Sequence, residues 1–587
     1  MGWYLCYFLH RHLDFRRAEV QALADLAGCG AEVRWRAPHG DVEHSPLWHV
    51  WLPSDAAARE ICERSVLVKA FVELWGEGDG PDALCASIAS FPAARKDPFL
   101  APDTTFKVEL EDFGWTEHGT RGDNWAPVVR RMDALAPAVT FLGKARMKDP
   151  QHVFWSVETA REGQWKGLPS DIPPRNYFGR VVAKGLGRAC MKTYDLTKRR
   201  YLGPTSMDVE MGLIMCNMAH ARPGGVVWDP FCGTGSILIA AAHFGAMTLG
   251  SDIDIRVIKH GKRDKKTGKQ VDVWTNFEDY GLPPPVGLVR MDLHKHSFRR
   301  DPADEATTGE HTSSAGGDVG GSSSGLARGP SVARLEGSLQ AVVGDPPYGV
   351  RAGGRKSGGR KRLPDGTIAP IPEEHRSDHI PSTVPYPFSE CLDDLMDQSA
   401  RLLEIGGRLC FFAPAAASAE DQATAGADEV PSHPSLELRA SCMQLLGTRW
   451  GRRLAVFEKT KPYDEADARR AHEERQKARR ERGGMEDLLE RMRETVYHGE
   501  RAAAKKKKQK EREAREKKGE EEEEENDEEE GGASKKEGDE SRANEDEKKR
   551  RAPRVGPDAV AEKHREHSRK RERMPPGKRT AFRGKLV

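Results

Sequence analysis

Two short loops in this chain carry residues whose types and spacing can do chemistry. The first is Asp229-Pro230-Phe231-Cys232-Gly233-Thr234-Gly235. It lies between an apolar run, Val226 to Trp228, and an apolar stretch, Ile237 to Ala242, that reads as the opening of a helix. Glycines at 233 and 235 let the backbone turn tightly and approach a ligand, aiming helix N-terminal N–H groups at an anion. A second apolar run, Met247 to Leu249, leads into Ser251-Asp252-Ile253-Asp254, and a carboxylate at such a strand end can hold ribose hydroxyls. Gly-x-Gly alone is a weak signal. Leu238 stands where the dinucleotide fingerprint has its third glycine, which disfavours NAD. An amino-acid carboxylate plus a sulfonium would suit Asp229 and this loop. The order strand, loop, helix, strand, acid weighs against an ordinary glycine turn.

The second loop, Gly344-Asp345-Pro346-Pro347-Tyr348-Gly349, follows the buried-strand pattern Leu339 to Val343. Two prolines after an acid freeze the backbone and remove two N–H donors. Local carbonyls are then free to accept hydrogen bonds beside the Asp345 carboxylate, and Tyr348 offers a flat face for a base. That is what methylating an exocyclic amine requires. The nitrogen lone pair is delocalised into the ring, so acceptors must grip the amine hydrogens and favour a pyramidal nitrogen. The charge arriving there is met by a carboxylate and a carbonyl dipole. The base must first leave its stack and rest on an aromatic ring. Alone, the loop would be equally compatible with a Pro-Pro turn closing a strand; in one sheet with the first loop it is not.

These loops need a sheet to position them, and the chain has room for it. Its 587 residues allow two or three domains. Residues 200–462 alternate apolar runs with helical stretches, as in a doubly wound α/β sheet. A Gly/Ser-rich insertion, 301–332, reads as a flexible surface loop, and a second loop from Gly353 to His379 is rich in Gly, Arg and Lys. Residues 1–60 read as an α+β module whose start is a strand entering an amphipathic helix, and 61–180 as a second folded domain. From 463 to 587 the chain is a charged helix and polyampholyte, with the run Glu520 to Glu525 and a basic end. Such blocks are ordinarily solvated tails; an electrostatic RNA arm or a nuclear import signal is the alternative.

Net charge is +1, so overall charge names no partner, while 32% charged residues and a mean hydropathy of -0.69 point to segments outside any core. The ten cysteines include no Cys-x-x-Cys pair, which argues against a zinc knuckle or a disulfide framework. No signal peptide or membrane span is expected, and the location expected is cytoplasmic, with nuclear presence open. Lys144, Arg146 and Lys148 form a basic stretch near His152 and Trp155 that can grip RNA or simply line a solvated strand edge. Met207, Met211, Ile214, Met215 and Met218 recur at helical spacing as core. His294 and His296 read as loop histidines, Cys232 as a packed thiol, and no metal is expected.

The loop pair resembles the class I amino-methyltransferases, with their DPFxGTG and (D/N)PPY loops. The longer stretches KRRYLGPTSMDVEMGLIMCNMAHARPGGVVWDPFCGTGSILIAAAHFGA, GDPPYGVR and HPSLELRASCMQLLGTRWGRRLAVFEK are similar to the catalytic subunits of tRNA guanosine-10 N2-methyltransferases. FLGKARMKDPQHVFWSVE and NYFGRVVAKG look like the end and exit of that family's THUMP RNA-binding domain. The resemblance covers residues 1–462. It implies a Rossmann-like catalytic domain behind a THUMP-containing module, and S-adenosylmethionine bound around Asp229, Phe231, Gly233, Thr234 and Gly235. It further implies that Asp252 or Asp254 holds the ribose and that Asp292 sits near the adenine. Asp345, Pro346, Pro347 and Tyr348 would hold the target guanine of tRNA. The family works with a small zinc-binding activator protein, and Leu288 to Met291 is the expected docking strand, at a sheet edge. Departures are Cys232 and Ser236 in the first loop and a longer Gly/Arg/Lys stretch after Tyr348. Adenine-N6 methylation of DNA or another RNA, and non-catalytic RNA binding, remain as alternatives.

Overall fold

Eight strands carry the N-terminal part: β1 (Gly2–Phe8), β2 (Arg34–Arg36), β3 (Leu47–Leu52), β4 (Val68–Gly78), β5 (Thr105–Phe113), β6 (Lys144–Ala145), β7 (His152–Thr159) and β8 (Asn176–Lys184). They form one sheet in the order β2-β3-β1-β4-β8-β7-β5-β6. Pairing is antiparallel except where β5 meets β6 and β7. The boundary expected between residues 60 and 61 does not divide this sheet, because β4 hydrogen-bonds to β1 on one edge and β8 on the other. The computed structural model describes residues 2–37, 45–114, 126–159, 172–203, 206–295, 336–348, 353–358, 383–416, 430–447, 450–482 and 489. The insertion 301–332, most of the Gly/Arg/Lys loop, His296 and, Leu489 apart, the tail beyond 482 lie outside the described residues.

The second sheet contains β9 (Val226–Asp229), β10 (Met247–Asp252), β13 (Gly287–Arg290), β14 (Leu339–Gly344), β17 (Leu403–Ala416), β18 (Leu436–Leu445) and β19 (Trp450–Lys459). Two small antiparallel ribbons, β11 (Lys262–Arg263) with β12 (Gln270–Val271) and β15 (Arg355–Ser357) with β16 (Thr383–Pro385), stand outside it. Its order is β13-β10-β9-β14-β17-β19-β18. The first five run parallel, and β19 is antiparallel to both β17 and β18. Chain order climbs from β9 through β10 to β13 on one side and from β14 to β17 on the other. The switch point therefore lies between β9 and β14, and crevices at the carboxyl ends of such a pair are where doubly wound sheets bind ligands.

Parallel strands buried on both faces read as unbroken apolar runs. β14 is such a run but for Gln340, with all of Leu339 to Gly344 buried. The helices Val209–Met218 and Ser236–His243 bury one face of the sheet, and Phe388–Leu402 buries the other with Trp228, Val342 and Phe411. Asp208 starts the first of these helices by accepting from the N–H groups of Glu210 and Met211.

The two sheets share a core. Phe15, Val20 and Ile61, from the helices Phe15–Leu26 and Asp55–Arg64, pack with Met211, Ile214 and Met215. The fully buried Glu19 accepts from Ser65 Oγ (2.7 Å), the N–H groups of Val66 (2.9 Å) and Leu67 (3.0 Å), and Asn217 Nδ2 (2.7 Å). Arg64 donates to Asn217 Oδ1 at 2.8 Å and lies 4.0 Å over the Phe244 ring. Glu19, Arg64 and Asn217 thus satisfy one another and the neighbouring backbone in that seam, which is the condition for burying them. Among the described residues no helix is long and apolar enough to cross a membrane.

Candidate active site

The first loop leaves the end of β9. Asp229 is 1% exposed, and its Oδ1 accepts the Phe231 N–H at 3.0 Å. Burial pushes its carboxyl well above the ordinary value, and the neighbouring Asp252 and Asp345 charges push the same way. Gly233 and Gly235 have φ of +48° and +83°, the left-handed region that favours glycine. Gly235 caps the helix Ser236–His243 from that conformation, and a Cβ there would lie 2.8 Å from Val273 Cγ1. Thr234 Oγ1 meets Ser206 Oγ at 3.0 Å, and Arg199 Nη1 donates to Ser236 Oγ at 2.6 Å, so the segment entering the domain is tied to the loop. Cys232 is 5% exposed, and burial, with Asp229 and Asp252 nearby, raises its thiol well above normal; a protonated thiol of that kind is packing.

Asp252 ends β10. Its Oδ2 accepts the Gly233 N–H at 3.1 Å and its Oδ1 the Asp254 N–H at 2.9 Å. Burial raises its carboxyl despite these bonds. Asp254 differs in chemistry, because the exposed Arg256 pairs with it at 2.7 Å and lowers it. Asp292 follows β13 and is buried; its oxygens accept the N–H groups of His294 (3.1 Å) and Ser357 (2.7 Å).

The second loop leaves the end of β14, the neighbour of β9 through Ala341↔Val227 and Val342↔Trp228. The loops touch. A Cβ added at Gly344 would stand 3.2 Å from Phe231 Cδ2 and 3.3 Å from Pro230 Cδ. The Asp345 side chain is 26% exposed; the Tyr348 hydroxyl donates to Oδ1, and Arg452 Nη1 donates to Oδ2 at 3.2 Å. Burial raises the Asp345 carboxyl, although Arg452 and the Tyr348 bond pull it down. Tyr348 meets Phe388 edge to face at 5.8 Å. Gly354, at the edge of the β15–β16 ribbon, would with a Cβ approach Pro347 Cγ to 3.7 Å, so the described ends of the Gly/Arg/Lys loop fold onto the same site.

The structure thus gathers Asp229, Phe231, Gly233, Thr234, Gly235, Asp252, Asp254, Asp292, Asp345, Pro346, Pro347 and Tyr348 at the ends of β9, β10, β13 and β14. Lys144, Arg146 and Lys148 lie apart, all exposed, on or next to β6 at the rim of the other sheet. Sequence reasoning missed Arg452, Phe412 and Phe388. It also read His294 as having no ligand partners, whereas its Nδ1 lies 2.9 Å from Asp394 and within reach of Glu390. Those two acids come from the helix Phe388–Leu402, which no local spacing could have revealed; they are also engaged by the Tyr386 hydroxyl and Lys356.

A sulfonium-bearing donor fits this cleft on its charge. Asp229 is a buried carboxylate and Asp252 a half-buried one, and among the described residues no cation pairs with either. A site left with that charge suits a cationic ligand, and the glycine turn leaves room for it. The fold and site define a class I S-adenosylmethionine-dependent methyltransferase of Rossmann-like architecture. Residues 197–276 match the family model of the RMKL-like methyltransferase domain, and residues 3–186 that of the Tmrp11 THUMP N-terminal domain. The chain is similar to the tRNA (guanine(10)-N(2))-methyltransferase TRMT11 of Bos taurus, 33% identical over 79% of this chain and 89% of the bovine protein. The Homo sapiens TRMT11 is 32% identical with the same coverage. The Saccharomyces cerevisiae tRNA (guanine(10)-N(2))-methyltransferase is 32% identical over 77% of this chain and 92% of the yeast one. The chain belongs to the tRNA (guanine(10)-N(2))-methyltransferase family.

Proposed function

We propose that this chain methylates the exocyclic N2 of guanosine 10 in tRNA, the reaction named for its relatives. The observation that carries this reading is the contact between the two loops across the β9–β14 switch point, at Gly344, Pro230 and Phe231. Bound at the first loop, S-adenosylmethionine supplies an electrophilic methyl group. Asp229, Phe231, Gly233, Thr234 and Gly235 would hold it, and Asp252 would take the ribose, since Asp254 is paired with Arg256. Asp292 would border the adenine, its own oxygens accepting backbone N–H groups that fix its place. On the other side, Asp345 and the Pro346 carbonyl grip the amine hydrogens, Pro347 stiffens the turn and Tyr348 supports the base. No covalent enzyme intermediate is needed, and holding the reactants together accounts for much of the rate.

Lys144, Arg146 and Lys148 contact tRNA phosphates from the rim of the N-terminal sheet. The partner is a small zinc-binding activator that pairs with β13. This strand ends the sheet order, and Val286 (68% exposed) and Val289 (41%) leave apolar surface beside its free edge.

The test is to mix the full chain, with and without the activator, with labelled donor and unmodified tRNA, and digest to nucleosides. Label in N2-methylguanosine at position 10 supports the reading. Label in N6-methyladenosine transfers it to the adenine alternative, and no label with any acceptor refutes catalysis. A chain fully active and soluble alone refutes the activator.

A further inference from the structure

Arg452 lies on β19 opposite Pro414 of β17. Its guanidinium stacks 3.8 Å from the Phe412 ring centroid and donates through Nε to Gln444 Oε1 at 2.7 Å. Nη2 lies 3.6 Å from Met207 Sδ, and the third nitrogen, Nη1, reaches Asp345 Oδ2 at 3.2 Å. With 13% of its side chain exposed, Arg452 is held from its face and its edges, and among the described residues its one ionic contact is with the acid of the second loop. Such a planar, pre-organised fork loses little freedom when it forms that bond.

We propose that Arg452 is a positioning residue, which keeps the Asp345 carboxylate ionised and turned so that it accepts the hydrogens of the substrate amine. This deepens the reading above and rests on it. Three carboxylates, Asp229, Asp252 and Asp345, surround the cleft, and among the described residues Arg452 is the one cation that pairs with any of them. The groups facing Asp345 are Arg452 from β19, the Tyr348 hydroxyl from its own loop, and the like charge of Asp229 from the β9 loop. Burial works against ionisation here, and Arg452, with the Tyr348 hydrogen bond, is the counterweight. Protonation of Asp345 would turn one of its two oxygens into a donor and remove the negative charge, weakening its hold on the amine hydrogens.

Because only the ionised form serves, activity falls as pH drops through the Asp345 pKa. Removing the arginine raises that pKa, so the acid limb of the kcat profile must move to higher pH. The experiment measures kcat against pH, donor affinity and thermal unfolding for the full chain and the variants R452M and R452K, with tRNA as acceptor. For R452M the expected acid limb moves up by about one pH unit or more, the scale of an opposite charge within a few ångström of an aspartate. Part of the lost kcat returns at high pH, and donor affinity stays within about twofold, a loss confined to the chemical step. R452K, which keeps the charge without the fork, moves the limb back towards wild type. An acid limb that stays unshifted in R452M, or in the equally uncharged R452Q should R452M not fold, overturns the proposal, whether kcat is uniformly lower or unchanged. A wild-type chain that methylates no tRNA overturns the functional reading instead.

Discussion

The N-terminal sheet and the catalytic cleft treat their carboxylates in opposite ways. In the N-terminal sheet each is matched. Burial would raise Glu77, but the His49 hydrogen bond and the Arg175 guanidinium outweigh it and bring it down to about 2. Glu109, against Lys184, the Trp155 indole and Lys107, also falls to about 2 in spite of burial. Arg180 and Tyr4 lower Asp55 against the same penalty. In the catalytic sheet Asp229, Asp252 and Asp345 are all raised by burial, with Arg452 the sole matching cation among the described residues. One region spends its charges on its own stability; the other holds them for a cationic donor and a base amine. Glu19 stands between the cases, raised by burial yet met by four donors at the seam, where it joins the sheets and touches no substrate.

If that contrast is right, the largest effect comes from the acid nearest the amine. Asp345→Ala should lower kcat roughly a hundred- to a thousandfold, comparable with losing one preorganised group that meets developing charge. Calorimetry should find donor binding intact in the same variant; a kcat within tenfold of wild type would break the contrast. Next comes the turn that shapes the donor site. Gly235→Ala forces a Cβ into the left-handed region and against Val273, costing about 1–2 kcal/mol in conformation alone, so donor affinity should fall by about tenfold, read by equilibrium binding.

The pH responses should separate as well. Glu77 and Glu109 have depressed values, so the stability they contribute is present above the ordinary carboxylate range and is lost as pH falls through about 2. The catalytic acids have raised values, so their sign is reversed: the ligand-free chain loses stability as pH rises through them. Donor should therefore raise the unfolding temperature more at near-neutral than at acid pH, and an equal shift at both would count against an unmatched carboxylate cluster. The smallest effect belongs to the basic rim. Replacing Lys144, Arg146 and Lys148 together with alanine should raise the KM for tRNA several-fold and flatten its salt dependence by about two to three in log–log slope, leaving donor binding unchanged.

Much of the catalytic site is legible in the sequence because its parts are backbone devices. Gly233 and Gly235 announce left-handed turns, Pro346 and Pro347 a stiff one, and the buried runs before them announce parallel strands. Adjacency of the loops follows from strand order. Arg452 was not legible in that way. It sits 107 residues from Asp345, and only the β17–β19 register, with Arg452 opposite Pro414 and Arg453 opposite Ala413, decides which of two successive arginines faces the cleft. The single N-terminal sheet was hidden for a related reason, since β4 and β8 pair across about a hundred residues that local patterning cannot connect.

The most direct test of this account is a structure of the full chain with S-adenosylhomocysteine and tRNA. The expected result is an unstacked guanine whose N2 lies within hydrogen-bond distance of Asp345 and the Pro346 carbonyl, facing the sulfur held at the Gly233–Gly235 turn. A guanine bound elsewhere, or a donor product seated away from that turn, would contradict it.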